Sequence, residues 1–549
     1  MLTKIRPIML FLAITVIVLA AACSKTAERP PFLPPPEPVP PPEMRWDVKT
    51  DYTNLTEYVP PYSMHSRLHD GPLPELIPSD DYGTLLPYAS AIIMPDGSIR
   101  ESKYGLVTMD GVIVTDLIYD RVSRANEQIY YYSGSQPAPQ PPVYLLAVNT
   151  SGSGPWNAES IQAVCALDGS WITPFDYVNV IFAKDVILLM RSHDTYDIEV
   201  YNYSGGLLYN MLDMEWTRKL SNPSWPGELV YSISEGYGSV QLPDGTCAFI
   251  DIRTGAAHYT EFAMSNPFSE GLAPVAINTD SYDRFQQLWG FIDRNFELAI
   301  PPGYIFPSVF KNGRAIVQLS EDTQHVIDTR GQTLFVVPSG FYMDHNYSGS
   351  GFIMYDNIGN SMPALLTEDF APVILPESAR TTSIIEHVKG DWYSCRLDSG
   401  TILFNHEREY FLPDVHYISH LDIENELIVF AGYSDNGTLT GVRTLDGRDI
   451  IPADRNVTIT VVADEDRAIA FVVNSHNTFL FPAWEDPEFR QSIYRLVDTD
   501  GSVIISGYGV LNYNEQEGLY SVLGADHFSW LSKDGSVIIS IPHMSSMLD

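Results

Sequence analysis

Phe268-Ser269-Glu270-Gly271-Leu272-Ala273-Pro274-Val275, Trp289-Gly290-Phe291-Ile292-Asp293 and Leu298-Ala299-Ile300-Pro301 stand in succession, and a new opener, Phe310-Lys311-Asn312-Gly313-Arg314-Ala315-Ile316-Val317, follows. Each run is short, apolar, and rich in aromatic or β-branched residues, which fit a pleated, half-buried surface. Gly, Asn and Asp punctuate the runs, so they read as strands joined by tight turns. A strand Trp buries a large face, and the glycine beside it lets the neighbouring strand's aromatic approach closely.

The same texture extends outward from about residue 84 to the C-terminus. Asp110-Gly111, Asp168-Gly169, Asp446-Gly447, Asp500-Gly501 and Asp534-Gly535 each separate two apolar runs. Such pairs predict two-residue hairpin turns with positive φ at both centres. No long helix is predicted, and the one short candidate starts at Asp486-Pro487. Uneven spacing of the turns indicates supersecondary units with variable loops. Units of this kind bury their apolar faces only by stacking on neighbours. The expected fold class is all-β, repeated antiparallel hairpin units closed into a β-propeller, with an open β-solenoid-like array as the alternative. Closure is expected where the last hairpin, Phe528–Ile541, pairs with the first strand near Leu85–Ile93.

The 268–317 unit closely resembles the WG-containing repeat of bacterial proteins. Its strand opener carries Phe268 and Gly271, and its second strand carries Trp289 and Gly290. Asn295-Phe296 replaces the turn glycine of that pattern; Asn tolerates the left-handed conformation, so the hairpin is expected to persist. Degraded copies include Tyr104-Gly105-Leu106-Val107, with Tyr for Trp, and Gly441-Val442 with Ile450-Ile451-Pro452. The resemblance implies an all-β repeat domain over 84–549 and says little about activity.

Ahead of that domain lies a different kind of sequence. Lys4 and Arg6 precede an apolar run, Ile8 to Leu19, and the small residues Ala20-Ala21-Ala22 precede Cys23. The run is shorter than the roughly 20 residues of a spanning helix. This arrangement resembles a bacterial lipoprotein signal, with residues 1–22 as signal peptide and Ala20 where leucine is usual. The resemblance implies that Cys23 becomes the diacylglyceryl- and palmitate-bearing first residue. It also implies an extracytoplasmic, lipid-anchored place in the bacterial cell envelope, and Ser24 after the cysteine implies an outer-membrane destination where two membranes exist. Residues 23–43 are the lipidated Cys and a spacer with nine prolines in positions 30–42, an extended run of roughly 40 Å. Residues 44–83 read as an irregular extension that partly packs on the head.

Composition narrows the function. Hydrophobic residues make up 45% of the 549, enough for a sizeable core, and the formal net charge is −37. Loss of Lys4 and Arg6 with the signal would make it −39. That field repels nucleic acid. With Cys23 lipidated, Cys165, Cys247 and Cys395 cannot all pair among themselves, so no disulfide framework is expected. Cys165 and Cys395 both lie three residues before a turn aspartate, which suggests one buried strand face in two copies.

Chemistry is sparse. His65/His69/Asp70 and His416/His420 have weak ligand spacing, and Asp464-Glu465-Asp466 and Asp498-Thr499-Asp500 lack a calcium loop's later ligands. Ser151-Gly152-Ser153-Gly154 and Ser348-Gly349-Ser350-Gly351 match no nucleophile elbow. No cofactor motif, metal site or catalytic residue is predicted. The expected function is a lipid-anchored envelope protein with a non-catalytic β-repeat head that binds or scaffolds proteins or glycans. The alternative is a secreted glycan hydrolase, which needs two suitably spaced carboxylates in an aromatic-lined cleft.

Overall fold

Trp289–Ile292 forms a strand paired antiparallel with Ala273–Ile277 on one side and Leu298–Tyr304 on the other, and Phe262–Ser265 completes the sheet. Side chains alternate along the strand. Phe291 therefore enters the core shared with the following sheet, and Ile292 the core shared with the preceding one.

The computed structural model describes residues 79 and 81–547 apart from 94–98, 125–141, 152–158, 221–225, 278–286, 344–351, 357–363, 378–384, 476–492, 543–545 and scattered shorter gaps. Among the described residues, eleven small sheets of three or four strands follow one another. Their strands run over 85–108, 121–166, 179–210, 237–259, 262–304, 306–336, 341–366, 385–413, 417–454, 457–508 and 510–542. In every sheet but the first, the strands are antiparallel and in sequence order; the first strand of a sheet is termed its innermost and the last its outermost. Among the described residues helix is nearly absent: Gly227–Tyr231 and the 3-10 turns Met211–Asp213 and Trp216–Lys219 lie between the third and fourth sheets.

Eleven apolar clusters fill the spaces between sheets, each drawn from two consecutive ones. One of them unites the last sheet (Leu523, Phe528, Trp530, Ile539, Ile541) with the first (Leu86, Tyr88, Ala89, Val107). The array is therefore a closed β-propeller ring, not an open solenoid. Closure differs from the expected hairpin pairing. The final sheet packs on the first face to face, and Trp530 Nε1 donates to Pro87 O at 2.8 Å. Among the described residues only Ser546 and Met547 add backbone pairing, parallel to Ile92 and Ile93.

The Asp-Gly turns also differ from expectation. Gly501 and Gly535 have positive φ, but the aspartates before them do not. Gly501 N donates to Asp498 O at 3.0 Å and Asp498 N to Ser502 O at 2.8 Å, a type I turn closed by a left-handed glycine. The aspartate caps the turn, since Asp500 Oδ1 accepts from Ser502 N at 2.8 Å and Asp168 Oδ1 from Ser170 N at 3.0 Å. Turns with two positive-φ centres do occur, in the strand openers at Glu235-Gly236, Glu270-Gly271 and Asn312-Gly313.

The turn glycines serve the ring as well as the hairpin. A β-carbon on Gly535 would stand 2.6 Å from Ile505, on Gly331 2.9 Å from Ile300, and on Gly255 2.9 Å from Tyr209. In each pair the partner lies on the outermost strand of the preceding sheet. Gly111 of the first sheet faces Ile539 of the last in the same way.

Two turns put phenylalanine in this position, with φ of 63° at Phe296 and 61° at Phe370. Asn295 is thus not the left-handed residue of its turn. The Phe296 ring stacks on His258 at 4.2 Å, and the Phe370 ring on Phe335 at 4.9 Å, both partners on the preceding sheet's outer strand. Ring stacking offsets the left-handed strain of roughly 1–2 kcal/mol.

Two outcomes follow from these contacts. Gly245→Ala, at φ +84° in open space, should cost about 1–2 kcal/mol in urea denaturation. Gly331→Ala should cost at least about 1 kcal/mol more, through its collision with Ile300. A double-mutant cycle of Phe296→Ala and His258→Ala should return a coupling of about 0.5–1.5 kcal/mol; additive effects would show that the stack contributes nothing.

Candidate functional site

The opener residues are absorbed by contacts between sheets. Phe268 is buried, and the Arg294 guanidinium lies over its ring and that of Tyr237 at 5.3 and 5.4 Å. Ser269 Oγ donates to Phe310 O of the next opener at 2.6 Å. The Glu270 carboxylate accepts from Asn312 N and Gly313 N at 2.5 and 2.7 Å. One sheet earlier, Glu235 Oε2 accepts from Gly271 N at 3.1 Å and from Arg294 at 2.5 Å. Each opener's carboxylate thus holds the following opener's turn.

The Trp-Gly pair has a backbone explanation. Trp289 is buried on its strand. A β-carbon on Gly290 would stand 2.5 Å from Ile300 O and 2.8 Å from Pro302 N, and the strand register shifts at this point. The outermost strand, carrying Pro301, bulges in over the glycine. The three atoms nearest that position are backbone atoms of the outermost strand, not the aromatic that the sequence reading expected. At Gly105 an aromatic does approach: Tyr88 Cε1 would lie 2.4 Å away and Thr115 O 2.7 Å. Gly441 meets both Phe430 and Ile451 O at 3.0 Å, again at a register shift. Tyr104, in the Trp position of the first sheet, is half-buried beside two interfacial cores.

The remaining sequence candidates are scattered. Cys23, His65, His69, Asp70, Asp486 and Ser348 lie outside the described residues. Cys165, Cys247 and Cys395 are buried thiols outside any disulfide, and burial pushes Cys165 up to about 12. Cys165 sits on the third strand of its sheet and Cys395 on the second of its own, so the shared phase before an aspartate does not mark equivalent positions. His420 lies within the strand Tyr417–Asp422 and His416 just before it. Asp498 and Asp500 bond their own turn. Among the described residues no group of three His, Cys, Asp or Glu side chains is placed to hold a metal ion.

A polar joint that the sequence did not signal centres on Glu199. Arg191 donates to Glu199 Oε1 at 2.6 Å and to Asp176 Oδ2 at 2.8 Å. Tyr177 and Tyr201 hydroxyls donate to Glu199 Oε2 at 2.6 and 3.2 Å. Burial opposes the carboxylate's charge, but the Arg191 and tyrosine hydrogen bonds outweigh it and hold the group below its usual range. Burial and the carboxylate both push Tyr177 upward. A carboxylate bonded at both oxygens binds the exit of the second sheet to the third; it is not poised to deliver a proton.

Exposed aromatics are a different matter. Tyr342 and Tyr417 are 43% and 52% exposed on the innermost strands of the seventh and ninth sheets. Tyr342 stacks on Tyr355 at 5.5 Å. On the rim, the outermost strands expose Leu298, Val336, Val503 and Val537.

Residues 289–321 match the family described as "WG containing repeat". No curated protein matches it. It is similar in part to the crystal structure of a eukaryotic initiation factor, at 11% identity and TM-score 0.34, covering 78% of this chain and 96% of that one. Porphyromonas gingivalis dipeptidyl peptidase 4 is similar at 10% identity and TM-score 0.31, covering 72% and 65%. BamB from Moraxella catarrhalis is similar at 11% identity and TM-score 0.20, covering 65% and 94%. Likenesses of this size describe neither ligand nor activity.

The Glu199 joint makes a pH prediction. Its folded carboxyl is depressed, so the stability it adds is present above the ordinary glutamate pKa and is lost as pH falls through the folded value. Glu199→Gln should unfold at lower urea than wild type at pH 7, with the gap closing on acidification. A gap that persists unchanged at pH 3 would refute the assignment.

Proposed function

We propose that this chain is a lipid-anchored cell-envelope protein whose β-propeller head is a non-catalytic binding or scaffold module for proteins or glycans. The observation that carries the reading is the fate of the repeat residues. Phe268 and Trp289 are buried, Gly290 and Gly105 admit close approach by neighbouring atoms, and Gly271 forms a positive-φ turn. Tyr342 and Tyr417 remain exposed on the innermost strands. Tyrosine offers a flat apolar face with a polar tip, suited to sugar rings and to protein side chains. The net charge of −37 favours neutral or cationic partners over polyanions. The N-terminal pattern ending at Cys23, followed by the proline-rich spacer, supports display away from a bilayer.

Fractionation of cells expressing the full chain tests both halves. The protein should sediment with membranes, and Cys23→Ala should shift it to the soluble extract; an unshifted variant would remove the lipid anchor from the proposal. The detergent-solubilised protein should retain envelope glycan or a protein partner saturably, and Tyr342→Ala with Tyr417→Ala should weaken retention several-fold at unchanged melting temperature. Retention untouched by the double variant would exclude the inner-wall tyrosines as the contact.

A further inference from the structure

The ring's seam carries a feature seen at none of the other joints described above: a buried ion pair that passes over a whole sheet. Glu517 lies in the turn between Val510–Asn514 and Leu519–Leu523 of the last sheet. Its carboxylate meets Arg124 Nη1 at 3.4 Å, on the innermost strand of the second sheet. The Tyr144 hydroxyl, on the adjacent strand of that second sheet, lies 3.4 Å from the same Oε1 and donates to Leu85 O of the first sheet at 3.0 Å. Arg124 stands over the Tyr144 ring at 5.5 Å. Three sheets, the last and the first two, are tied at one point.

The point is dry. The Glu517 side chain is 7% exposed and that of Arg124 13%. Glu517 Oε2 is buried without a hydrogen-bond partner among the described residues. A buried carboxylate with one oxygen unpartnered incurs most of its desolvation cost uncompensated. Cys165 lies beside Tyr144, the Lys533 side chain passes within 3.1 Å of a β-carbon built on Gly518, and Asn514 Oδ1 accepts from Glu517 N at 3.4 Å.

We infer that the Glu517–Arg124–Tyr144 contact is a proton-sensitive latch on ring closure, tighter when Glu517 is protonated than when it is ionised. The direction of its titration agrees: burial lifts the Glu517 carboxyl above the usual range, outweighing Arg124 and the Tyr144 hydroxyl. An acid whose folded pKa is raised adds stability that is lost as pH rises from the ordinary value through the folded one. The latch therefore runs opposite to the Glu199 joint, in a window just above the ordinary glutamate range.

The test compares full-chain wild type, Glu517→Gln, Arg124→Met and the double variant in thermal melts between pH 4.5 and 8. Glu517→Gln mimics the protonated acid and should melt roughly 1–2 °C above wild type at pH 8, with the difference vanishing at pH 4.5. Arg124→Met should melt lower than wild type at pH 8, because it strands the carboxylate, and should be largely rescued by Glu517→Gln. A wild-type-to-Gln difference that does not change with pH, or effects that simply add in the double variant, would overturn the inference. Should Arg124→Met fail to fold, the pH dependence of the Glu517→Gln difference decides alone.

Discussion

Apolar packing between successive sheets is the constraint on which everything else in this molecule rests. A three- or four-stranded sheet with two apolar faces cannot cover itself, and each face here finds its cover only on a neighbour. The buried Phe291, at roughly 1.5–3 kcal/mol for a side chain of this size, belongs to the fifth sheet by covalent chain and to the sixth by contact. The same holds all the way round, so the ring is a consequence of having no end at which to stop. The polar contacts are secondary: carboxylates such as Glu270 fix the relative rotation of neighbours that apolar contact has already brought together.

The turn chemistry shows how a backbone requirement becomes a packing device. The hairpin needs one left-handed residue, and glycine supplies it without strain. The same bare position lets the preceding sheet's outer strand come close, as at Gly535 and Ile505. Where phenylalanine takes the position, the ring reaches that outer strand instead. Two residues of opposite size thus solve one problem, by leaving room for the neighbour or by stacking on it.

Much of the architecture could be read from the chain, because strand texture and turn residues are local. Trp289–Ile292 and the closed ring of sheets emerged from alternation, glycine placement and the need to cover apolar faces. What eluded reading was non-local. The conformational role of Phe296 depends on His258, thirty-eight positions earlier, and the glycine beside Trp289 answers to a bulge at Pro301 rather than to an aromatic ring. Cys165 and Cys395 illustrate the converse error, in which matching local phase disguised different strands. The polar joints at Glu199 and Glu517 were invisible, since among 69 acidic residues nothing in the sequence marks which ones are buried. Residues that draw the eye as a motif serve the scaffold, and that is why the sequence says more about shape than about ligand.

Closure by Phe528 and Trp530 onto Leu86 and Tyr88 also bears on how the molecule is made. The first sheet leaves the ribosome more than four hundred residues before its partner does, so one of its greasy flanks waits, uncovered, for nearly the whole of synthesis. No shortened version ending before Trp530 would have a finished circumference. A ring that cannot lock until its final strands appear stays threadable until the last moment.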